Sequence, residues 1–253
     1  MEIENWKFLV YLVYAILGLL PSAVWLLFYL RKDAHPEPNR LVLLVFLGGA
    51  LMGPIAALLQ FLILRVAAPS GVWPHIMAAL NQSNYLFFLN IIILAPLSEE
   101  LLKYLAVRWT VLKNPEFDEP LDAMVYMIVS ALGFAATENL LNIFLAPNQT
   151  LSLAASQALA RFLSATFLHA LASGILGYFI ALSLLNFKKK VGIFWQGFIL
   201  AVIFHSFYNY LAWLLEFNKV FALALAVLLV SMAGLVSWQF RLLKKQGAVC
   251  RLN

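Results

Sequence analysis

Apolar residues run through this chain in long unbroken stretches and do not alternate with polar ones. LVLLVFLGGALMGPIAALLQFLIL, for example, covers residues 41–64 without a charge. An α-helix rising 1.5 Å per residue needs about 20 such residues to cross the ~30 Å hydrocarbon core of a bilayer. The pattern predicts seven spans, near 6–30, 41–64, 84–107, 121–145, 158–186, 191–215 and 219–240. The short alternating segments of a transmembrane β-barrel are missing. The predicted fold class is therefore all-α, a polytopic transmembrane helical bundle of about seven spans. One further stretch, SGVWPHIMAALNQ at 70–82, is too short to span. It is expected to be interfacial or re-entrant, with Trp73 and His75 at headgroup level.

Charge falls between the spans and sets a topology. RKDAHPEPNR, RWTVLKNPEFDEP, the lysines at 188–190 and the C-terminal RLLKKQGAVCRLN all lie on one side if the spans alternate. The other side has only Lys7, Arg65 and Lys219 as flanking basic residues. The excess of basic residues on cytoplasmic loops then predicts the N-terminus out and the C-terminus in. The connectors are too short to fold alone and no internal repeat is visible, so residues 1–253 are expected to form one integral membrane domain. The first run is too long for a signal-peptide core and reads as a retained span. Of the 253 residues 64% are hydrophobic and 11% charged, against about 25% charged in soluble domains. The net charge of +5 is accounted for by the loops, so no nucleic-acid partner is expected; the bilayer is the partner that the composition implies. The single cysteine, Cys250, excludes an internal disulfide and a Cys-based zinc site. Any metal must sit on His, Glu, Asp or Asn.

Ionisable residues inside spans are costly, each by roughly 2.5–3.5 kcal/mol on insertion scales, and so mark candidate chemistry. They are few: Glu99, Glu100 and Lys103 in span three, Glu138 beside Asn139 and Asn142 in span four, Arg161 and His169 in span five, and His205 with Asn209 in span six. Spans three to six are therefore expected to enclose a polar centre, within a catalytic bundle at roughly 84–215. Glu99 and Glu100 both lie within one turn of Lys103. One acid can pair with the lysine; the other must hold a proton, bind a metal or activate water. Pro96, just before them, is expected to kink the span. His169 with Ser173, and His205 with Asn209, are i,i+4 pairs that give each imidazole a polar neighbour. Two histidines on different helices plus carboxylates are the ligand types of a zinc site in which a glutamate serves as general base. The structural alternatives are a buried Glu100–Lys103 pair that staples the bundle and histidines that only join helices. Arg161 can snorkel or pair with a carboxylate. Span seven has no mid-span lysine for a retinal Schiff base, and HExxH is absent.

SEELLK resembles the EExxK motif of the PrsW family of intramembrane proteases. LDAMVYMIVSALGFAATENLLN resembles its second block, with Phe134 and Glu138 as the FxxxE element, and HALASGILGY from His169 and HSFYN from His205 to Asn209 are similar to the third and fourth, in the same order. The resemblance covers roughly residues 95–210. It implies a multi-pass endopeptidase of a prokaryotic cell membrane, distantly related to CAAX prenyl proteases and to the scaffold subunit of γ-secretase. Its substrates would be membrane-anchored proteins, of the anti-sigma-factor kind in some members. Glu99, Glu100, His169 and His205 would be its catalytic residues. Under a zinc mechanism His169, His205 and a carboxylate, Glu138 or Glu100, would hold the ion. Without metal, a Glu–His pair would activate water while His205 and Asn209 steady the oxyanion. Lys103, Asn139, Asn209 and Ser173 would support the site. Depth along the helices sets Glu138 apart: Glu99 and Glu100 lie about 12 Å from the inner end of span three, Glu138 about 25 Å from the inner start of span four. Two other functions use the same residues, an ion- or proton-coupled transporter, for which the expected inverted repeat is not seen, and a noncatalytic membrane scaffold.

Overall fold

The computed structural model describes residues 2–32, 35–67 and 88–245. The segment expected at the interface, 70–82, and Cys250 lie outside the described residues. In chain order the helices are α1 (Glu2–Leu30), α2 (Asn39–Ala67), α3 (a π-helical turn, Asn90–Leu94, running directly into Ala95–Thr110), α4 (Pro120–Phe144), α5 (Leu151–Leu163), α6 (Ala165–Leu185), α7 (Lys190–Phe217) and α8 (Phe221–Lys244). No strand occurs among the described residues. Six stretches are long and apolar enough to cross a membrane: Trp6–Leu30, Asn39–Val66, Pro120–Phe144, Leu151–Leu185, Phe187–Phe217 and Phe221–Lys244. The predicted third span is helical as α3 but carries Glu99, Glu100, Lys103 and Arg108. Its place in the bundle comes from packing against α2, α4 and α7.

α4 is the axis of the bundle. From Ala123 to Ala136 it is apolar on every face but for Ser130, and a stretch of that kind must be surrounded; every residue from Leu121 to Ala136 is buried. It packs against α6, α2, α1, α3 and α8. A capping box between Glu119 and Asp122, with Pro120 in the first turn, fixes its start. Lipid tails give no hydrophobic drive for helices to associate, so close backbone approach and hydrogen bonds do that work. A Cβ on Gly49 would sit 2.0 Å from the Ser130 carbonyl oxygen, and one on Gly133 would sit 2.0 Å from that of Phe46. These two glycines let α2 and α4 cross backbone to backbone, and the Thr137 hydroxyl donates to the Ala50 carbonyl at 2.8 Å at the same crossing. The outer helices turn apolar side chains outward, Leu51 and Leu58 on α2 and Val227 and Val230 on α8 among them, as a lipid-facing surface requires.

Two irregularities shape the site. The fifth predicted span, 158–186, is divided at Ser164, whose φ of −128° and ψ of −90° leave the helical region. The Ser164 hydroxyl donates to the Ala160 carbonyl at 2.6 Å, a back-bond of the type that bends helices. At the entry to α3 the kink expected from Pro96 takes the form of the π-turn, where Ala95 N–H donates to Asn90 O, five residues back. The next residue of that pattern is Pro96, which has no N–H to give Ile91 O. Asn209 of α7 supplies the missing donor, its Nδ2 lying 2.8 Å from Ile91 O.

The tight crossing leads to a stability prediction. Gly133→Leu places atoms against backbone that cannot move aside and should cost at least about 1–3 kcal/mol, read as a lowered unfolding midpoint in detergent. Gly234→Leu, at a position open to its surroundings, should leave the midpoint unchanged. Equal behaviour of the two variants would contradict the crossing.

Candidate active site

α3 presents Glu99, Glu100 and Lys103 on one face, and the buried ammonium of Lys103 organises the rest. Its Nζ lies 2.8 Å from Glu100 Oε1, 2.8 Å from His169 Nδ1 on α6 and 4.0 Å from Glu99 Oε2. It also stands 4.6 Å above the ring of Phe134 on α4, within the reach of a cation–π contact. Glu100 is fully buried and uses both oxygens. Oε1 takes Lys103 and His205 Nδ1, the latter at 3.0 Å, and Oε2 accepts from the Ser173 hydroxyl at 2.7 Å. The structural alternative for Glu100 and Lys103 and the polar-centre reading are thus both realised, since the pair that staples α3 to α6 and α7 also orients the two imidazoles.

Donor and acceptor roles follow. A lysine ammonium only donates, so His169 Nδ1 accepts and His169 Nε2 carries the proton, which it directs at Glu138 Oε2, 2.8 Å away. A carboxylate already bonded to two donors takes His205 Nδ1–H as a third, which in the neutral ring leaves His205 Nε2 with a free lone pair. That lone pair faces Glu99 Oε2 at 3.6 Å. Glu99 Oε2 is buried and has no hydrogen-bond partner. Two acceptors pointed at each other in a buried site call for a proton or a cation between them. Charge balance agrees: Glu99, Glu100 and Glu138 oppose only Lys103 and Arg161, and the carboxylate left over is Glu99.

The end of the site nearest the α4 C-terminus is formed by Glu138, which also accepts from Arg161 at 2.8 Å. Arg161 Nε bonds Asn139 Oδ1, and Asn139 Nδ2 reaches the Thr166 hydroxyl at 3.1 Å. Of its two open roles, Arg161 takes the carboxylate partnership. Contrary to the separation expected from the span ends, Glu138 reaches the motif residues, its Oε2 lying 2.8 Å from His169 Nε2. Register is set by the Ser130 hydroxyl donating to the Lys103 carbonyl at 3.0 Å, not by the ends of the spans. From that level Glu138 lies about 12 Å along α4 and Glu99 about 6 Å along α3, towards the same end of the bundle, a gap that the side chains of Lys103 and His169 bridge. The imidazole rings of His169 and His205 are 5.1 Å apart, centre to centre, at 83°. Asn142 bonds its own helix at the Glu138 carbonyl, and Asn209 is engaged at the π-turn. Sequence reasoning missed Thr166, one turn before His169, and Gln60 of α2, which donates to Ser98 Oγ at 3.2 Å; both are polar residues within apolar runs, a signal too weak to single them out.

A metal fits this arrangement by its donor chemistry. One atom from each of Glu99, His169 and His205 lies within 4.8 Å of the others, and all three residues are buried. Ligands bound at about 2.0–2.2 Å to a tetrahedral ion sit roughly 3.4 Å apart, close to the 3.6 Å between His205 Nε2 and Glu99 Oε2. Comparison with known families agrees with that chemistry: a model described as PrsW family intramembrane metalloprotease matches residues 37–235. The chain belongs to the PrsW family. It is 31% identical over 195 residues to Protease PrsW of Geobacillus kaustophilus, covering 77% of each chain. It is 28% identical over 197 residues to Protease PrsW of Oceanobacillus iheyensis, covering 77% of this chain and 80% of that one. Protease PrsW of Clostridioides difficile is 23% identical over 230 residues, 90% of this chain and 87% of the relative. No solved structure matches the chain significantly. As a PrsW-family member the chain is a multi-pass intramembrane protease, and its substrates are membrane-anchored proteins. This PrsW-type site is built from α3 to α7, with every ionisable side chain drawn from a helix.

Glu99 and Glu100, adjacent in sequence, should respond oppositely to truncation. Glu100→Ala leaves Lys103 buried without its main partner and should cost about 3–5 kcal/mol. Glu99→Ala removes an unpartnered acid and should leave the unfolding midpoint in detergent unchanged or raised. A loss of stability in Glu99→Ala matching that in Glu100→Ala would contradict the hydrogen-bond assignment.

Proposed function

We propose that the chain is a zinc-dependent endopeptidase in which Glu99, His169 and His205 hold the ion and Glu138 is the general base. The observation that carries this reading is the unpartnered, buried Glu99 Oε2 facing the lone pair of His205 Nε2. Three nitrogen and oxygen ligands with one position left over are the pattern of catalytic rather than structural zinc. A bound zinc supplies Lewis-acid polarisation of the scissile carbonyl and a lowered water pKa.

The remaining work falls to the chain's own groups. Glu100 holds His205 in the tautomer that presents Nε2. To ligate through Nε2, His169 must carry its proton on Nδ1, so it turns away from the Lys103 ammonium, which stays with Glu100. A ligating His169 gives up its bond to Glu138, which leaves that carboxylate, 29% exposed at its side chain, beside the reacting water. Glu138 accepts the proton of the water as its oxygen attacks the carbonyl carbon, and returns it to the nitrogen of the departing amine. Arg161, fixed by Asn139, keeps Glu138 in place. In this reading Glu99 takes the carboxylate-ligand position that the sequence offered to Glu138 or Glu100, because both oxygens of Glu100 are occupied and Glu138 is held by Arg161. The orientation proposed is N-terminus out and C-terminus in, in a prokaryotic cell membrane. The preferred substrate is a single-pass protein of the anti-sigma-factor kind. A transporter would need the same acids to release an ion across the bundle, and Glu100 and Lys103 lie in a fully bonded, buried pair that suits anchoring better than transit.

The test is cleavage of a single-pass substrate in proteoliposomes containing the purified full-length chain. Glu138→Gln should lower kcat by about 10²–10⁴-fold, the usual contribution of a general base. Glu99→Gln should abolish turnover with its unfolding midpoint retained, whereas His205→Ala, which also removes a partner of the buried Glu100, should abolish turnover with a lowered midpoint. Wild-type rates in Glu138→Gln would remove the base from this mechanism.

A further inference from the structure

A cavity of about 550 Å³ opens between α1, the junction of α5 with α6, and α8, and none of the active-site residues named above lines it. Its volume lies within the roughly 300–1,000 Å³ of small-molecule sites. The inner wall is aromatic and rigid. Trp25 stacks on Phe167 with ring centres 4.2 Å apart at 11° and on Phe162 at 5.3 Å and 23°. Its indole N–H is satisfied by the Phe162 carbonyl at 2.9 Å and is not free for a ligand, and the hydroxyl-bearing residues of the lining are Tyr29 and Ser237. On one side the cavity is flanked by Val24 and Phe28, 42% and 45% exposed on the outward surface of α1, which makes it open towards the bilayer.

The rim has the opposite character. Lys32, at the C-terminal end of α1, and Arg241 and Lys244, in the last turns of α8, all line it, and no acid does. The three cations are exposed, and none forms an ion pair with a carboxylate among the described residues. Cations near helix C-termini are ordinary by themselves. Here three of them, on two helices, converge on the mouth of one apolar cavity at the end of the spans, where lipid headgroups lie. We infer that this cavity binds one anionic phospholipid, with an acyl chain along Trp25, Phe162 and Phe167 and the phosphate between Lys32, Arg241 and Lys244. Charge complementarity selects the occupant: a zwitterionic lipid would fill the apolar part equally well but leave the net positive rim uncompensated, and a water-soluble anion would leave the aromatic wall bare. Bound there, the lipid would tie α1 and α8, the first and last helices, to the α5–α6 junction that carries Arg161.

The full-length protein, delipidated in detergent, is titrated with phosphatidylglycerol or with phosphatidylcholine of the same acyl chains, and bound lipid is counted by native mass spectrometry. One tightly held phosphatidylglycerol per chain is expected, with phosphatidylcholine markedly weaker. Lys32→Gln, Arg241→Gln and Lys244→Gln should each weaken it by roughly fivefold, from the attraction of a single basic side chain to an anionic headgroup. Ala233→Trp, which fills the cavity without changing charge, should abolish the tight site. Lipid-free unfolding midpoints and cleavage rates should match wild type in the charge variants, since none of the three touches the active site. Equal binding of the two lipids, or undiminished phosphatidylglycerol binding in the triple glutamine variant, would overturn the inference.

Discussion

The ammonium of Lys103 is the constraint on which the interior depends. A buried charge is tolerable only when paired and hydrogen-bonded, and Lys103 meets that condition through Glu100, His169 and the face of Phe134. Those partners lie on α3, α6 and α4, so satisfying one charge fixes the rotation of three helices. Glu100 then extends the network to Ser173 and to His205 on α7. The result sorts two neighbouring glutamates by their surroundings: Glu100 has both oxygens bonded, whereas Glu99 has an oxygen with no partner. That difference, set by about 100° of rotation between adjacent residues on a helix, separates a positioning residue from a candidate ligand.

The fold around this centre uses means suited to an apolar solvent. α4 is enclosed on all sides, and where it meets α2 the contact is made by backbone against backbone at Gly49 and Gly133. The irregular backbone lies where protein can satisfy it. Asn209 supplies the bond that Pro96 cannot, so the helix that carries Glu99 and Glu100 is anchored to α7 about two turns before them. The break at Ser164 changes the course of the chain between Arg161 and His169, and both then reach Glu138 Oε2. Hydrogen bonding at these two points allows the site to be built on helices alone.

Much of this was legible in the chain itself, for reasons that differ by residue. Long charge-free runs announce spans because the thickness of the bilayer is fixed. Glu99, Glu100, His169 and His205 stood out because an ionisable residue in such a run is costly, and their motifs gave the family. What could not be read were distances between helices. Glu138 looked too far from the other acids because span ends were a poor measure of depth, and the Ser130–Lys103 bond that sets the register joins residues 27 positions apart. Thr166 and Gln60 were overlooked because an uncharged polar residue in a span costs little and so signals little. The different fates of Glu99 and Glu100 depend on side-chain bonds to α6 and α7 that no spacing within SEELLK encodes.

The proposed centre requires that the free oxygen of Glu99 and the free nitrogen of His205 share a cation. The most direct measurement is the zinc content of the purified chain by elemental mass spectrometry, for wild type, Glu99→Gln, Glu138→Gln and the His169→Ala/His205→Ala double variant. About one ion per chain is expected in wild type and in Glu138→Gln, and none in the other two. An ion retained in Glu99→Gln, or lost in Glu138→Gln, would contradict the assignment of ligand and base, and a wild-type chain that binds no zinc even when supplied with it would contradict the metal centre itself.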